Sequence, residues 1–200
     1  HERTGGGPPP SPMSRFAWTG VVLAGGKSTR MGRDKALVDV DGKPMIQHAI
    51  DVLLPQVKEL LVIGDPRKYR RFHDEIIPDE LEGLGPLGGI VTAMGHAKYE
   101  HLLILACDVP EVNAKLLEKI KFHFPMDGDA LVPRHEDFVE PLVAGYHRRC
   151  AEPFTELLSK GVLRMTEALA AVRTSYLDIV PGQDGLPEDL FRNVNGPDDL

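Results

Sequence analysis

Residues 17–26 read Ala-Trp-Thr-Gly-Val-Val-Leu-Ala-Gly-Gly. The β-rich run 17–24 ends in Gly25-Gly26, the pattern of a strand feeding a glycine turn. Working outward, strand and helix signals alternate. Asp41-Gly42 marks a tight turn before Lys43-Pro44, and Pro44 is expected at the first position of a helix. Ile46, Ala49, Ile50, Leu53 and Leu54 recur at i, i+3, i+4, i+7 and i+8, which makes one apolar helical face. Pro55 closes or bends that helix. A strand at 60–63 follows, then the brief apolar pair Ile76-Ile77. Gly85-Pro86 opens a helix carrying Leu87, Ile90, Val91 and Met94. Residues 102–106 are continuously apolar, as in a sheet buried on both faces. Asn113 is a candidate N-cap for a helix with Leu116, Leu117 and Ile120. Strands are expected at 130–132 and 142–146, and a short one at 175–179. Helices are expected with Cys150, Phe154, Leu157 and Leu158, and with Met165, Ala168, Leu169 and Val172. Residues 193–196 read as a turn before a helix starting at Pro197. This alternation predicts an α/β fold, a three-layer αβα sandwich around a mostly parallel sheet. Ligands on such sheets bind at the carboxyl ends of strands. The chemistry is therefore sought at 25–35, 64–66, 79–89, 107–110 and 193–196.

The chain has 200 residues, so one domain of ordinary size is expected. Residues 1–12, HERTGGGPPPSP, are Gly/Pro-rich and lack the apolar segment of a secretory signal. They read as a disordered leader or an expression scar, with 13–200 as the single domain and Met13 as a start. Lys plus Arg number 23 against 30 Asp plus Glu, a net charge of −7. That balance argues against broad nucleic-acid binding, which needs a basic face. One small polyanion held by local cations remains compatible with it. No apolar run approaches the ~20 residues of a membrane span, so no membrane partner is expected. Two cysteines make no disulfide framework. Cys107, inside the apolar run, reads as a buried free thiol. Both thiols suit a reducing cytosol, so a cytoplasmic location is expected.

Residues 23–35 read LAGGKSTRMGRDK. Glycines let the backbone approach oxyanions with its N–H groups. Lys27, Arg30, Arg33 and Lys35 could together neutralise a triphosphate. A Walker loop is excluded on spacing, because Gly20 stands six residues before Gly26 where five are required. The dinucleotide fingerprint G-x-G-x-x-G is absent. The eight histidines show no H-E-x-x-H and no Cys/His spacing for zinc. His96 and His101 read as surface or packing residues. No G-x-S-x-G elbow supports a serine hydrolase.

Four strings together resemble the molybdenum cofactor guanylyltransferases over roughly residues 18–200. They are L-A-G-G-x-S-x-R-M-G-x-D-K at 23–35, G-P-L-G-G at 85–89, C-D-V-P at 107–110 and N-V-N-G-P-D-D-L at 193–200. Gly196 departs from the family's usual Thr and removes a hydroxyl. The resemblance implies a Rossmann-like nucleotidyltransferase fold and transfer of GMP from GTP to the terminal phosphate of molybdopterin, with Mg²⁺ as cofactor and pyrophosphate as leaving group. It implies passing contact with proteins of cofactor biosynthesis or molybdoenzyme maturation.

The same resemblance assigns residues. Leu23, Ala24, Gly25, Gly26, Lys35, Asp79, Gly88 and Asp108 would bind the nucleotide. Arg30, Lys35 and Asp108 would be catalytic, with Asp108 and Asn195 at the metal. Glu140, Pro141, Asn193 and Asn195 would face the acceptor. Read without it, Asp108 is equally a turn aspartate, and Asn195 a turn residue. Asp79 could be one more acid of a solvated loop, and Gly88 a site of tight helix packing. A related nucleotidyltransferase that uses CTP would share the loop and the metal aspartate. A nucleotide-binding regulator without turnover would share the pocket.

Overall fold

A computed structural model describes residues 15–25, 34–195 and 199. Gly26, Lys27, Arg30, Arg33 and Gly196, the 1–12 leader and the helix at Pro197 lie outside them. The chain runs β1 (Trp18–Leu23), β2 (Asp39–Val40), β3 (Lys43–Pro44), α1 (Met45–Leu53), β4 (Glu59–Ile63), α2 (Pro66–Tyr69), β5 (Ile76–Ile77) and α3 (Gly85–His96). It continues β6 (His101–Ala106), α4 (Ala114–His123), β7 (Ala130–His135), β8 (Phe138–Val139), β9 (Val143–His147), α5 (Ala151–Ser159), α6 (Met165–Ala170) and β10 (Thr174–Asp178).

The main sheet has the order β10-β7-β9-β6-β1-β4-β5, with β8 on β7. β5, β4, β1 and β6 are mutually parallel, and β10 is parallel to β7. β9 runs antiparallel to both its neighbours. The sheet is therefore mostly parallel, with two reversed strands, β9 near its centre and the short β8 beside β7. Because β9 is reversed, its amino end shares an edge with the carboxyl ends of β1, β4, β6 and β7. Every residue of β1 and β4 is buried. One apolar cluster joins α1, α4 and the 186–191 segment on one face, and a second joins α3, α5 and α6 on the other. This is the three-layer arrangement read from the sequence.

Local details depart from the sequence reading for identifiable reasons. Pro44 is not the first helical residue but the cap before Met45, extended at φ −59° and ψ 147°, because it pairs with Asp39 across the β2–β3 hairpin. That hairpin turns on Asp41 at φ 51° and Gly42 at φ 85°, the positive-φ pair of a type I′ turn. Leu54 is 49% exposed instead of on the buried face, since a 3₁₀ turn around Pro55 tightens the helix end. Cys150 lies in the 3₁₀ turn before α5, and Val172 lies beyond the end of α6. Asn113 caps α4 as read, its side chain accepting from Leu116 N at 3.2 Å. Both cysteines are free and buried. No helix among the described residues is long and apolar enough to cross a membrane.

Candidate active site

β1 and β6 lie side by side, and their pairing continues one step past the strands. Cys107 N donates to Leu23 O at 3.3 Å, which brings Asp108 to the carboxyl edge beside the end of β1. The 193–195 segment reaches the same point, with Val194 N donating to Asp108 O at 2.8 Å. Lys35 completes the group. Its Nζ donates to Asp108 Oδ2 at 3.1 Å and to Asn195 Oδ1 at 2.9 Å. The Lys35 and Asp108 side chains are 26% and 27% exposed, so the pair faces solvent and can meet a ligand. Cys107, next in chain to Asp108, has its thiol pushed up to about 12 by burial and then by the Asp108 charge. It remains a protonated packing residue.

Two residues that the sequence reading did not single out position Lys35. Asp34 caps the 3₁₀ turn Lys35–Leu37 by accepting from Ala36 N at 3.0 Å. The Tyr69 hydroxyl donates to Asp34 Oδ2 and lies 3.1 Å from Ala24 O. One buried hydroxyl thus ties the two chain segments that flank residues 26–33. Burial and then the Asp34 hydrogen bond raise the Tyr69 pKa, so it stays a donor. Gly64 makes room for this ring, because a Cβ there would sit 2.7 Å from Tyr69 Cε2. Tyr69 lies in the run Arg67-Lys68-Tyr69-Arg70-Arg71. Such a charged run reads as a solvated surface and carries no local signal of a buried tyrosine.

Asp79 and Gly88 share a partner at the α3 side of the same edge, the Thr92 hydroxyl. Asp79 Oδ1 accepts from Leu81 N at 2.9 Å and from Thr92 Oγ1 at 3.3 Å. Packing accounts for Gly88, since a Cβ would lie 2.8 Å from Leu81 O. At Gly89 a Cβ would lie 3.3 Å from Leu23 Cδ2 and 3.9 Å from Asp79 Oδ2. Leu23, Gly89 and Asp79 therefore form one wall, while Ala24 is buried and Gly25 exposed at the edge.

Glu140 and Pro141 lie on the other side of Asp108. Leu142 O accepts from Ala106 N at 2.9 Å and Glu140 N donates to Pro133 O at 2.9 Å. These bonds set residues 140–142 between the ends of β6 and β7. Glu140 Oε1 lies 2.9 Å from His135 Nε2, and the His135 ring stacks on Phe191 at 4.7 Å and 21°. Sequence reasoning missed His135. Pro133 made the strand look finished at Val132, whereas β7 continues to His135 and uses the Pro133 carbonyl alone at that step. Asn193 is exposed, two residues from Phe191. His96 and His101 have the surface and packing places expected: His96 pairs with Glu80 and His101 is buried.

The residues present fit a hard divalent cation. A carboxylate oxygen and an amide oxygen already converge on one cationic nitrogen. No group of three or more His, Cys, Asp or Glu suited to a metal occurs among the described residues. Mg²⁺ suits such a sparse oxygen set, because it takes one or two carboxylates and fills its shell with phosphate and water.

The model of the MobA-like NTP transferase domain matches residues 20–173. The chain belongs to that family. It is a nucleotidyltransferase. It is 36% identical over 190 residues to the probable molybdenum cofactor guanylyltransferase of Methanothermobacter thermautotrophicus, covering 90% of this chain and 95% of the relative. It is 32% identical over 184 residues to the molybdenum cofactor guanylyltransferase of Vibrio campbellii, covering 90% and 91% of the two chains. The crystal structure of molybdopterin-guanine dinucleotide biosynthesis protein A from Archaeoglobus fulgidus superposes with a TM-score of 0.77 at 28% identity, over 90% of this chain and 94% of that one. In this MobA-like chain, the strings at 23–35, 85–89 and 107–110 lie within the matched residues, and the string at 193–200 lies beyond them.

Proposed function

We propose that this protein transfers GMP from GTP to the terminal phosphate of molybdopterin and releases pyrophosphate. The observation that carries the reading is the convergence of Lys35, Asp108 and Asn195 beside the end of β1. Relatives named molybdenum cofactor guanylyltransferase, matched over about nine-tenths of the chain, support the choice of substrates.

The nucleotide would lie across the carboxyl edge, its phosphates over Ala24, Gly25 and Gly26 and its nucleoside toward Asp79 and Gly88. Glu140, Pro141 and Asn193 would face the acceptor from the far side of Asp108. Asp108 and Asn195 would hold Mg²⁺, which would supply charge neutralisation at the α-phosphate. The acceptor is a phosphate monoester and already a dianion, so the site needs no general base. Lys35, with Arg30 assigned from the sequence, would stabilise the charge that grows as pyrophosphate leaves. Catalysis is then positioning and electrostatics. We place the reaction in the cytoplasm, which two free thiols fit. The product would pass to proteins of molybdoenzyme maturation.

The test is calorimetric titration of GTP, ATP, CTP and UTP with Mg²⁺, followed by pyrophosphate release with molybdopterin. Selective GTP binding with molybdopterin-dependent pyrophosphate release is expected. Preference for CTP would transfer the same site to a different acceptor. Binding without turnover would reduce the protein to a nucleotide-binding regulator.

A further inference from the structure

Lys35 and a divalent cation need the same two oxygens. Lys35 Nζ lies 3.1 Å from Asp108 Oδ2 and 2.9 Å from Asn195 Oδ1, ordinary lengths for an ammonium donor. Mg²⁺ binds oxygen at about 2.0–2.1 Å and would take the lone pairs that now face Nζ. An ammonium and a dication cannot share the space between one carboxylate and one amide, because like charges at such range repel strongly. Resting on the nucleotidyltransferase reading above, we propose that Lys35 holds the metal's place in the nucleotide-free protein. The phosphates of the nucleotide release that place by drawing the ammonium onto themselves. Metal and nucleotide then enter together.

Three features suit an exchange better than a permanent ion pair. The root of Lys35 is fixed by the Asp34 cap and its Tyr69 partner, while the four-carbon stem beyond it can swing. Both side chains are about a quarter exposed, and an ion pair so open to water is weak, so a polyphosphate can outbid one carboxylate. Asp108 also keeps its place without Lys35. Its carbonyl accepts from Val194 N at 2.8 Å, and its neighbour Cys107 N donates to Leu23 O at 3.3 Å. The backbone that carries Asp108, and Val194 beside Asn195, therefore stay joined when the ammonium leaves.

The test uses Mn²⁺ as the probe and counts free Mn²⁺ by electron paramagnetic resonance. Mn²⁺ is titrated into nucleotide-free wild type, Lys35→Met, Lys35→Gln and the double variant Lys35→Met/Asp108→Asn. Two uncharged replacements guard against a packing change in either one. Removing a competitor held by a pair this open to water predicts Mn²⁺ binding tighter by roughly two- to fivefold in both Lys35 variants. The double variant is expected to lose that gain. A parallel titration adds GTP to wild type, where protein-bound Mn²⁺ is expected to rise. Equal Mn²⁺ affinity in wild type and both Lys35 variants, with the GTP-dependent rise intact, would overturn the exchange and leave the enzyme reading standing. If wild type with GTP holds no more Mn²⁺ than GTP alone, the enzyme reading fails and the exchange fails with it.

Discussion

The two edges of the central sheet treat their polar groups in opposite ways. At the amino edge, Glu59 is 8% exposed, and its Oε1 accepts from Thr19 Oγ1 and from Lys98 N, both at 2.9 Å. His101 is 9% exposed there, stacked 3.9 Å from Phe16 and set edge-on to Phe124 and His147. These groups are held by backbone, by a buried threonine hydroxyl or by rings packed at the core. At the carboxyl edge, Asp108, Lys35 and Asn195 are partly open to water and meet through side chains alone. A partner that cannot leave makes a polar group structural. A partner on a long, solvent-reached stem can be exchanged for a ligand. Pairing polar groups is thus common to both edges, and the freedom of the partner separates fold from function.

The sharpest way to break this contrast is Asp108→Ala. Turnover should fall by at least ~10²–10³, the usual cost of one lost charge contact in a transition state. The denaturation midpoint should hardly move, since the carboxylate supports no buried group. A fully active variant, assayed by pyrophosphate release, would remove Asp108 from the metal. The opposite edge should give the opposite result. Phe124 is 1% exposed at the centre of the aromatic cluster, so Phe124→Ala should cost about 3–5 kcal/mol of stability in urea titrations. Nucleotide affinity, measured where the variant is folded, should be unchanged. A weakened affinity would mean that the edges are coupled.

The pH dependence refines the amino-edge half of the comparison. Burial, and then the neighbouring His147, lower the His101 pKa from 6.5 to about 4. The unfolded chain therefore binds a proton that the native state refuses. This group's contribution is fully present above about pH 6.5 and is lost as pH falls toward 4. Urea midpoints should drop across that window, and His101→Phe should flatten the drop. A midpoint indifferent to pH from 7 to about 4 would contradict the burial seen here. The smallest effect expected is that of Tyr69→Phe, which removes the hydroxyl joining Asp34 to the end of β1. A loss of about 1 kcal/mol, or severalfold weaker GTP binding by calorimetry, is expected. No change would mean that Lys35 needs no such brace.

Much of this molecule is written in short windows of its sequence. The α1 face shows in Ile46, Ala49, Ile50 and Leu53, all buried. The Asn113 cap and the Asp41-Gly42 turn behave as their chemistry demands. Asp108 and Gly25 were found at strand ends because parallel sheets put ligands there. Glu140 came only from the family resemblance, since it precedes a strand instead of following one. His135 and Tyr69 were hidden, one behind Pro133 and the other inside a basic run.

By itself, then, the sequence determined the α/β class, the element order, the caps and turns, and the strings that reveal the family. Each of these depends on residues within a few positions of one another, where periodicity and side-chain chemistry bias the backbone directly. Only the tertiary structure decided the reversed direction of β9, because an apolar run such as 143–147 fits a sheet in either direction. It alone brought Lys35 to Asp108 and Asn195, 73 and 160 residues away in the chain. The order of strands in the sheet sets that meeting, and strand order follows from long-range pairing that no local pattern encodes.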